Sequence, residues 1–205
     1  MKLKKLASLA LAGALMLGLM PGMSLTAYAE YSGGSGTEND PYKISTTADW
    51  NALADAVNSG DEGNNLEGKY FKMTADITIT STDEAYHLIG KRISNANNDK
   101  LFSGVFDGDG HTLTVNITSG SIPMAAPFSY VNGATIKNLN VTGTVSTTGG
   151  QGSGLVGAVK SNVSSSYAGS LTVENVKSDV IVTGSGSYKG GFVGHNHGSN
   201  TSLTK

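Results

Sequence analysis

Two stretches of the chain decide its predicted fold, "TIKNLNV" at residues 135–141 and "TVENVKS" at residues 172–178. They align at a shift of 37 residues, and so do "GLVG" at 154–157 and "GFVG" at 191–194. Two separate segments with one common shift argue against coincidence. Repeats of this length are typical of proteins in which stacked units bury their apolar faces against one another.

Individual positions support the alignment. Ile136 matches Val173 at the shift of 37, and Thr112 matches Thr135 at a second shift of 23. The Leu-Val and Phe-Val pairs between glycines predict very short buried strands, because glycine lets the backbone turn tightly on either side. The sequence therefore predicts an all-β parallel solenoid built from repeated short strands.

The stretch "GSGLVG" at 152–157 also fits G-x-G-x-x-G, the glycine pattern of dinucleotide-binding loops. Such a loop needs a helix directly after it, because free N–H groups at the helix N-terminus bind the phosphates. The next residues, 158–170, have no helical apolar stripe, and Lys189 stands where the second copy should repeat Gly152. We therefore predict no nucleotide cofactor.

The N-terminus has the features of a secretory signal peptide at residues 1–29. Lys2, Lys4 and Lys5 precede an apolar run, and "AYA" ending at Ala29 has the small-x-small form of a cleavage site. Cleavage there would leave 176 residues with no membrane span and, after the loss of three lysines, a net charge of −5. An acidic exported chain is not expected to bind nucleic acid, and without cysteine it has no disulfide or thiolate chemistry.

One amphipathic helix is predicted at about residues 47–59. Thr46 followed by Asp49 resembles a capping box, a common start of helices. The apolar residues recur at i, i+3, i+4 and i+7, as on one face of a helix: Trp50, Leu53, Ala54 and Val57.

Composition divides the remaining chain into two regions. Residues 30–101 carry most of the charge and the helix, and we predict that they form an N-terminal cap region. Residues 102–205 hold only four acids and are rich in Gly, Ser, Thr, Asn and Val, which favours short strands. We predict solenoid coils over 102–205, incomplete at the C-terminus because another coil begins near the last residues.

Six stretches, in this order and spacing, carry a family resemblance: "GTENDPYKISTTADWNALADAVNSG" (36–60), "YFKMTADITI" (70–79), "HLIG" (87–90), "FSGVFDGDGHTLTV" (102–115), "NGATIKNLNVTGTV" (132–145) and "GGFVG" (190–194). Together they resemble bacterial surface proteins that carry GLUG motifs. The resemblance implies a right-handed parallel β-helix with a short N-terminal capping helix, a surface or secreted location and an adhesin-like role. GLUG repeats also accompany some secreted immunoglobulin-cleaving metallopeptidases.

We accordingly predict a secreted or cell-surface, non-catalytic domain that binds a glycan or a host or matrix protein, or acts as a structural stalk. One alternative is a polysaccharide-active β-helix enzyme, a lyase or glycosidase, which would need clustered carboxylates. Another is the non-catalytic N-terminal part of a secreted peptidase. We predict no catalytic residue, because the chain contains no His-Glu-x-x-His and few acids in its repeats.

Two pairs of residues are candidates for weak metal binding. Asp107 and Asp109 lie in "FDGDGH", where turn chemistry explains the Asp-Gly pairs without a ligand. His195 and His197 lie two apart in "GHNHG" and would share one face of a strand. Neither pair supplies the three or four ligands of a usual site, so no metal is predicted.

Two further features follow from the predicted stacking. Asn138 and Asn175 match at the shift of 37, which predicts a short stack of side-chain amides. The last coil has no cap in the sequence, and an uncapped end leaves strand edges unpaired. We therefore predict self-association through this open end.

Overall fold

The computed structural model describes residues 31–60, 65–93, 99–160, 169–196 and 200–204, so the predicted signal peptide lies outside the described residues. The described part of the chain contains one helix and fourteen strands. In chain order these are β1 (Tyr42–Ile44), α1 (Thr47–Ser59), β2 (Tyr70–Met73), β3 (Ile77–Ser81), β4 (Val105–Asp107), β5 (Thr112–Ser119), β6 (Met124–Ala125), β7 (Phe128–Val131), β8 (Ala134–Thr147), β9 (Gln151–Ser153), β10 (Val156–Val159), β11 (Ser170–Thr183), β12 (Tyr188–Gly190), β13 (Val193–Asn196) and β14 (Asn200–Thr204).

The predicted helix is confirmed with the same bounds, Thr47–Ser59. The side chain of Thr46 accepts a hydrogen bond from the N–H of Asp49 at 3.1 Å, and Asp49 Oδ2 accepts one from the N–H of Thr46 at 2.8 Å. This reciprocal pair is the predicted capping box, which satisfies N–H groups that have no partner within the helix. All four residues of the apolar stripe are buried.

We expect Asp49→Asn to lower the free energy of unfolding at pH 7 by about 2 kcal/mol. Burial raises the pKa of Asp49, but hydrogen bonds from Ser45, Ser32 and Thr46 outweigh burial and hold the pKa below its usual value of 3.8. A group whose pKa is lowered by folding stabilises the fold above its unfolded pKa, and this contribution is lost as the pH falls through the folded value. Urea denaturation should therefore show the difference from wild type shrinking below pH 3.8.

Asp55→Asn provides the matched control, because Asp55 lies on the exposed face of the same helix. It should change stability by no more than about 0.5 kcal/mol at any pH, as is usual for surface substitutions. A difference between wild type and Asp49→Asn that stays constant through the acid range would contradict the role assigned to the Asp49 charge.

The strands form three sheets, and every ladder between two of these strands is parallel. The first sheet has eight strands, ordered β1-β2-β4-β8-β11-β14, with β5 also paired to β8 and β3 paired to β5. The second sheet is β7-β10-β13 and the third is β6-β9-β12. Helix α1 packs against β1 and β3, at one end of the first sheet.

The strand pairs predicted from the shift of 37 are present. Ile136 on β8 is the partner of Val173 on β11, and Val156 on β10 is the partner of Val193 on β13. The shift of 23 is wrong, because Thr112 on β5 is the partner of Asn140, 28 residues later. That shift fails because a match of a few common residues, such as Thr112 with Thr135, is too weak to define a register.

The predicted architecture, a right-handed parallel β-helix solenoid, is wrong. The described residues form three sheets of short separate strands rather than a single β-helix. The distance in sequence between partner residues is not uniform: it is 37 between β8 and β11, 28 between β5 and β8, and 36 between β3 and β5. The similarity between the two copies predicted which of their strands pair. Correct pairing of these strands does not determine how all the strands of the chain are arranged.

The core consists of inward-facing residues from neighbouring strands. Trp50 of α1 meets Phe106 and Phe128 edge to face, with ring centroids 5.8 and 5.5 Å away, and the two phenylalanines lie 5.2 Å apart. Trp50 Nε1 also donates to the carbonyl oxygen of His87 at 2.8 Å, which satisfies its polar group. Burial declines toward the last strands, where the exposed large apolar side chains are Ile181, Tyr188 and Leu203.

Candidate functional site

A row of charged side chains crosses the outward face of the first sheet. The register places Lys72 beside Asp107, and Asp107 beside Lys137. The preceding residue on β4, Phe106, is buried in the core. Because successive side chains along a strand point to opposite faces, Asp107 lies on the outward face. Glu174 on β11 lies beside Lys137 and continues the row. Positive and negative groups thus alternate on adjacent strands about 4.8 Å apart.

The turn before β1 forms a wall beside this row. The N–H groups of Ser35, Gly36 and Thr37 all point at the carbonyl oxygen of Asp40, at 3.0, 2.9 and 3.2 Å. The N–H of Tyr70 donates to the carbonyl oxygen of Gly36 at 3.1 Å and ties the turn to β2. The resulting space, which we call the Asp107 cleft, has a volume of about 270 Å³ and is lined by Glu38, Asn39, Pro41, Tyr70, Phe71, Lys72, Val105, Asp107 and Lys137.

The Asp107 cleft combines aromatic surface with side chains that donate hydrogen bonds, accept them or do both. Tyr70 supplies a half-buried ring. The ammonium groups of Lys72 and Lys137 donate hydrogen bonds, the carboxylates accept them, and the amide of Asn39 does both. This set of groups matches a ligand that carries several hydroxyl groups, each of which donates and accepts.

Asp107 and Asp109 make turn and ion-pair contacts. Asp107 Oδ1 accepts hydrogen bonds from the N–H of Asp109 at 2.9 Å and from Nδ2 of Asn138 at 3.0 Å. Asp107 Oδ2 lies 3.6 Å from Nζ of Lys137, and Asp109 Oδ1 lies 3.0 Å from Nζ of Lys72. The turn chemistry predicted for the Asp-Gly pairs is present, and the contacts fix the Asp107 carboxylate within the cleft.

The predicted amide stack is confirmed. Nδ2 of Asn175 donates to Oδ1 of Asn138 at 2.9 Å. The two asparagines have φ of 50° and 51°, a left-handed conformation that asparagine tolerates better than most residues. The stack joins β8 to β11 and extends the hydrogen-bonded chain that begins at Asp107.

Of the predicted histidine pair, His197 lies outside the described residues. His195 on β13 has its Nδ1 2.8 Å from Nε2 of Gln151, and its ring stacks on Tyr188 with the centroids 4.7 Å apart. This contact joins β9 to β13 and, with the Tyr188 ring, orients the imidazole ring of His195. Across the described ranges, no three His, Asp or Glu side chains lie close enough together to hold a metal ion.

Among the residues that the structure describes, the pKa is shifted in three carboxyl groups, and in each it is lowered. The N–H of Thr112 lowers the pKa of Asp76, and the hydroxyl of Ser119 lowers that of Asp83. In Asp49, hydrogen bonds outweigh the effect of burial. A general acid at neutral pH needs a raised pKa, so none of these three groups is suited to that role.

A second cleft, of about 150 Å³, was missed by the sequence analysis. Tyr86, Lys91, Arg92 and Met124 are among its lining residues. The Tyr86 hydroxyl lies 2.6 Å from the carbonyl oxygen of Gly90, and burial raises its pKa to about 12. The available signal was the single arginine of the chain, adjacent to a lysine. The sequence could not show that Arg92 lines a cleft, because Met124, which lines the same cleft, is more than thirty residues away in sequence.

No protein family profile and no solved structure matches the chain. Among curated proteins it is similar to halomucin of Haloquadratum walsbyi, with 29% identity over 166 residues. The match covers 78% of this chain but only 2% of the length of halomucin. This similarity indicates a surface or secreted protein and gives no specific function. Within the described ranges, no helix has the length and apolar character needed to cross a bilayer.

Proposed function

We propose that the chain is a non-catalytic, adhesin-like domain of a cell-surface or secreted protein, of the GLUG-motif kind, and that it binds a glycan through the Asp107 cleft. The similarity to halomucin supports the location. The cleft supports the ligand, because it is small and lined by polar groups, whereas the centre of a protein–protein interface is broad and depleted of charge. A purely structural stalk would not require such a cleft.

One observation carries the proposal, the position of Tyr70 beside the Lys72–Asp107–Lys137 row. Small ligand sites pair an apolar or aromatic surface with a few fixed polar groups that set orientation. The ring of Tyr70 offers a surface for the C–H face of a sugar, and the charged row offers partners for its hydroxyl groups. All four residues lie on paired strands, so little side-chain and backbone ordering has to accompany binding.

A polysaccharide-active enzyme is the alternative favoured by a second observation, since Glu38 and Asp107 line the same cleft. A glycosidase uses two carboxyl groups, and one of them must deliver a proton to the leaving group. Asp107 instead accepts hydrogen bonds from Asp109 and Asn138 and faces Lys137. We infer that it orients a ligand rather than transferring a proton.

We expect the purified chain, without its first 29 residues, to bind one class of glycan on a glycan array. Tyr70→Ala and Asp107→Asn should each weaken binding to the best glycan by about tenfold, or about 1.4 kcal/mol, in titration calorimetry. Glu84→Gln is the matched control, because Glu84 is an exposed acid outside the Asp107 cleft. Its affinity should equal that of wild type.

The same samples distinguish the alternatives. Thermal unfolding of each variant checks that the fold is intact before an affinity loss is interpreted. Release of reducing ends from the bound glycan would show that the chain is an enzyme rather than a binding domain. Binding to immunoglobulin but to no glycan would favour the peptidase-associated alternative. Equal affinity of wild type and both cleft variants for a glycan would rule out the Asp107 cleft as the site.

A further inference from the structure

The second cleft, of about 150 Å³, lies where the segment after β3 meets β6 and β7, and it shares no lining residue with the Asp107 cleft. We call it the Arg92 cleft. Tyr86 fixes its shape, because the Tyr86 hydroxyl donates to the carbonyl oxygen of Gly90 at 2.6 Å and lies 2.9 Å from Oγ of Ser129. Ser129 in turn donates to the carbonyl oxygen of Met124 at 2.7 Å. These bonds join the segment after β3 to β6 and β7, so the cleft is formed before any ligand binds.

Two cations line the Arg92 cleft, and within the described part of the chain neither forms an ion pair. The ammonium group of Lys91 lies 5.2 Å from the centroid of the Tyr86 ring, and the backbone of Lys91 exchanges two hydrogen bonds with Lys100, both of 2.8 Å. Arg92 follows directly on this bridge, and its side chain is exposed. The ion pairs between described residues all join other groups. The guanidinium of Arg92 therefore presents its N–H donors to solvent.

One carboxylate also lines the cleft, and it is held by donors of the chain itself. Asp83 Oδ1 accepts a hydrogen bond from Oγ of Ser119 at 2.6 Å, and Asp83 Oδ2 accepts from the N–H groups of residues 120 and 121 at 2.9 and 3.0 Å. These bonds occupy most of the acceptor capacity of the carboxylate. The buried carboxylate of Asp99, close by in sequence, pairs with Lys160 at 3.3 Å. Two cations against one carboxylate leave the cleft with a net charge of +1.

We propose that the Arg92 cleft binds the anionic group of an acidic sugar, a carboxylate or a sulfate ester. Each of these groups carries a single negative charge, which matches the net charge of the cleft, whereas a phosphate monoester would bring about two charges beside Asp83. A guanidinium donates two parallel hydrogen bonds to neighbouring oxygens of such a group, and Lys91 adds a second cation. Charge and geometry thus act together in the cleft.

The walls of the cleft favour a sugar as the carrier of the anion. Pro123, which is exposed, offers apolar surface to the C–H groups of a ring, and the hydroxyl of Ser121 offers a partner to a ring hydroxyl. The volume lies below the roughly 300–1,000 Å³ of sites that enclose a drug-sized ligand, so the cleft admits one sugar residue rather than a longer chain. The whole chain has a net charge of −2, so a polyanion is not attracted by a generally basic surface.

The test is a titration of the ¹⁵N-labelled chain, without its first 29 residues, followed by nuclear magnetic resonance. The ligands are trigalacturonic acid, its trimethyl ester, which lacks only the charges, and sulfated maltotriose. We expect the backbone resonances of Lys91, Arg92 and Ser121 to shift, and an acidic ligand to bind about tenfold more tightly than the neutral ester. The tighter of the two acidic ligands identifies the anion as a carboxylate or a sulfate ester. The preference over the ester should fall in 1 M salt, because salt screens surface charges.

Variants of Arg92 test the assigned contact. Arg92→Gln should weaken binding of the acidic ligand by about tenfold, and Arg92→Lys should lose less, because lysine keeps the charge but not the planar fork. Neither change should alter the urea midpoint, since the Arg92 side chain makes no hydrogen bond or ion pair with a described residue. Lys189→Gln is the matched control, because it removes one exposed cation that lines neither cleft. Its affinity should equal that of wild type.

The outcomes separate this inference from glycan binding at the Asp107 cleft, on which it does not depend. Equal affinity for the acid and its ester, no binding of either acidic ligand, or equal losses in Arg92→Gln and Lys189→Gln would overturn it. Shifts confined to Tyr70, Lys72 and Asp107 would also overturn it, while supporting the proposed function. Shifts at the Arg92 cleft would uphold it even if the glycan array showed no ligand for the Asp107 cleft.

Discussion

Trp50→Ala is expected to lower the free energy of unfolding by about 4 kcal/mol, the range of large aromatic truncations in protein cores. The side chain is fully buried between Phe106 and Phe128, so its removal leaves a cavity that rigid strands cannot close. Truncation also removes the donor to the carbonyl oxygen of His87. Because Trp50 is the only tryptophan, urea unfolding should be followed by far-ultraviolet circular dichroism.

Trp50→Phe separates the two contributions. It keeps an aromatic ring against Phe106 and Phe128 but loses the hydrogen bond and part of the volume, so we expect a smaller loss of about 2 kcal/mol. A loss below about 1 kcal/mol for Trp50→Ala would mean that α1 is not anchored in the core as described.

Gly143→Ala is expected to cost about 3 kcal/mol or more, because two effects act together. Gly143 has φ of +108°, a conformation that disfavours any residue with a Cβ. An added Cβ would also lie 2.1 Å from the carbonyl oxygen of Val115 on the paired strand β5. Neither backbone can move without breaking the ladder between β5 and β8. Trp50 fluorescence during urea unfolding provides the measurement.

Gly110→Ala is the control that isolates the steric effect. Gly110 also has a positive φ, +82°, but an added Cβ would meet no atom within 4 Å. Only the backbone preference is then lost, about 1 kcal/mol. Equal losses at the two positions would show that β5 and β8 do not approach as closely at Gly143 as the structure indicates.

Local features of the sequence predicted the structure better than global ones. The helix followed from Thr46, Asp49 and four apolar residues, because capping and periodicity act within one segment. The pairing of β8 with β11 followed from the shift of 37 that matches Asn138 to Asn175 and Ile136 to Val173. Each of these signals has a local physical cause that is visible in the sequence.

The architecture could not be predicted in the same way. Inward positions such as Phe71, Phe106 and Ile136 need only be apolar, so neighbouring strands share too little sequence to reveal shifts that vary from 28 to 37. The Asp107 cleft was equally hidden, because Glu38, Lys72 and Lys137 come from distant segments. The turn contacts of Asp107 were predictable from its own segment. The positions of Lys72 and Lys137 on either side of it depend on the register between β2, β4 and β8, which the sequence did not reveal.

The strand order of the first sheet determines how the chain responds to a mechanical load. β1 lies at one edge and β14 at the other, with the strands between them stacked side by side. A pull between these two edges acts along the inter-strand hydrogen bonds and in series through the ladders. The matched ladders that join two neighbouring segments, such as β8–β11, β9–β12 and β10–β13, then share the load. A load applied across these two edges would therefore lengthen the chain in steps, one set of matched ladders after another.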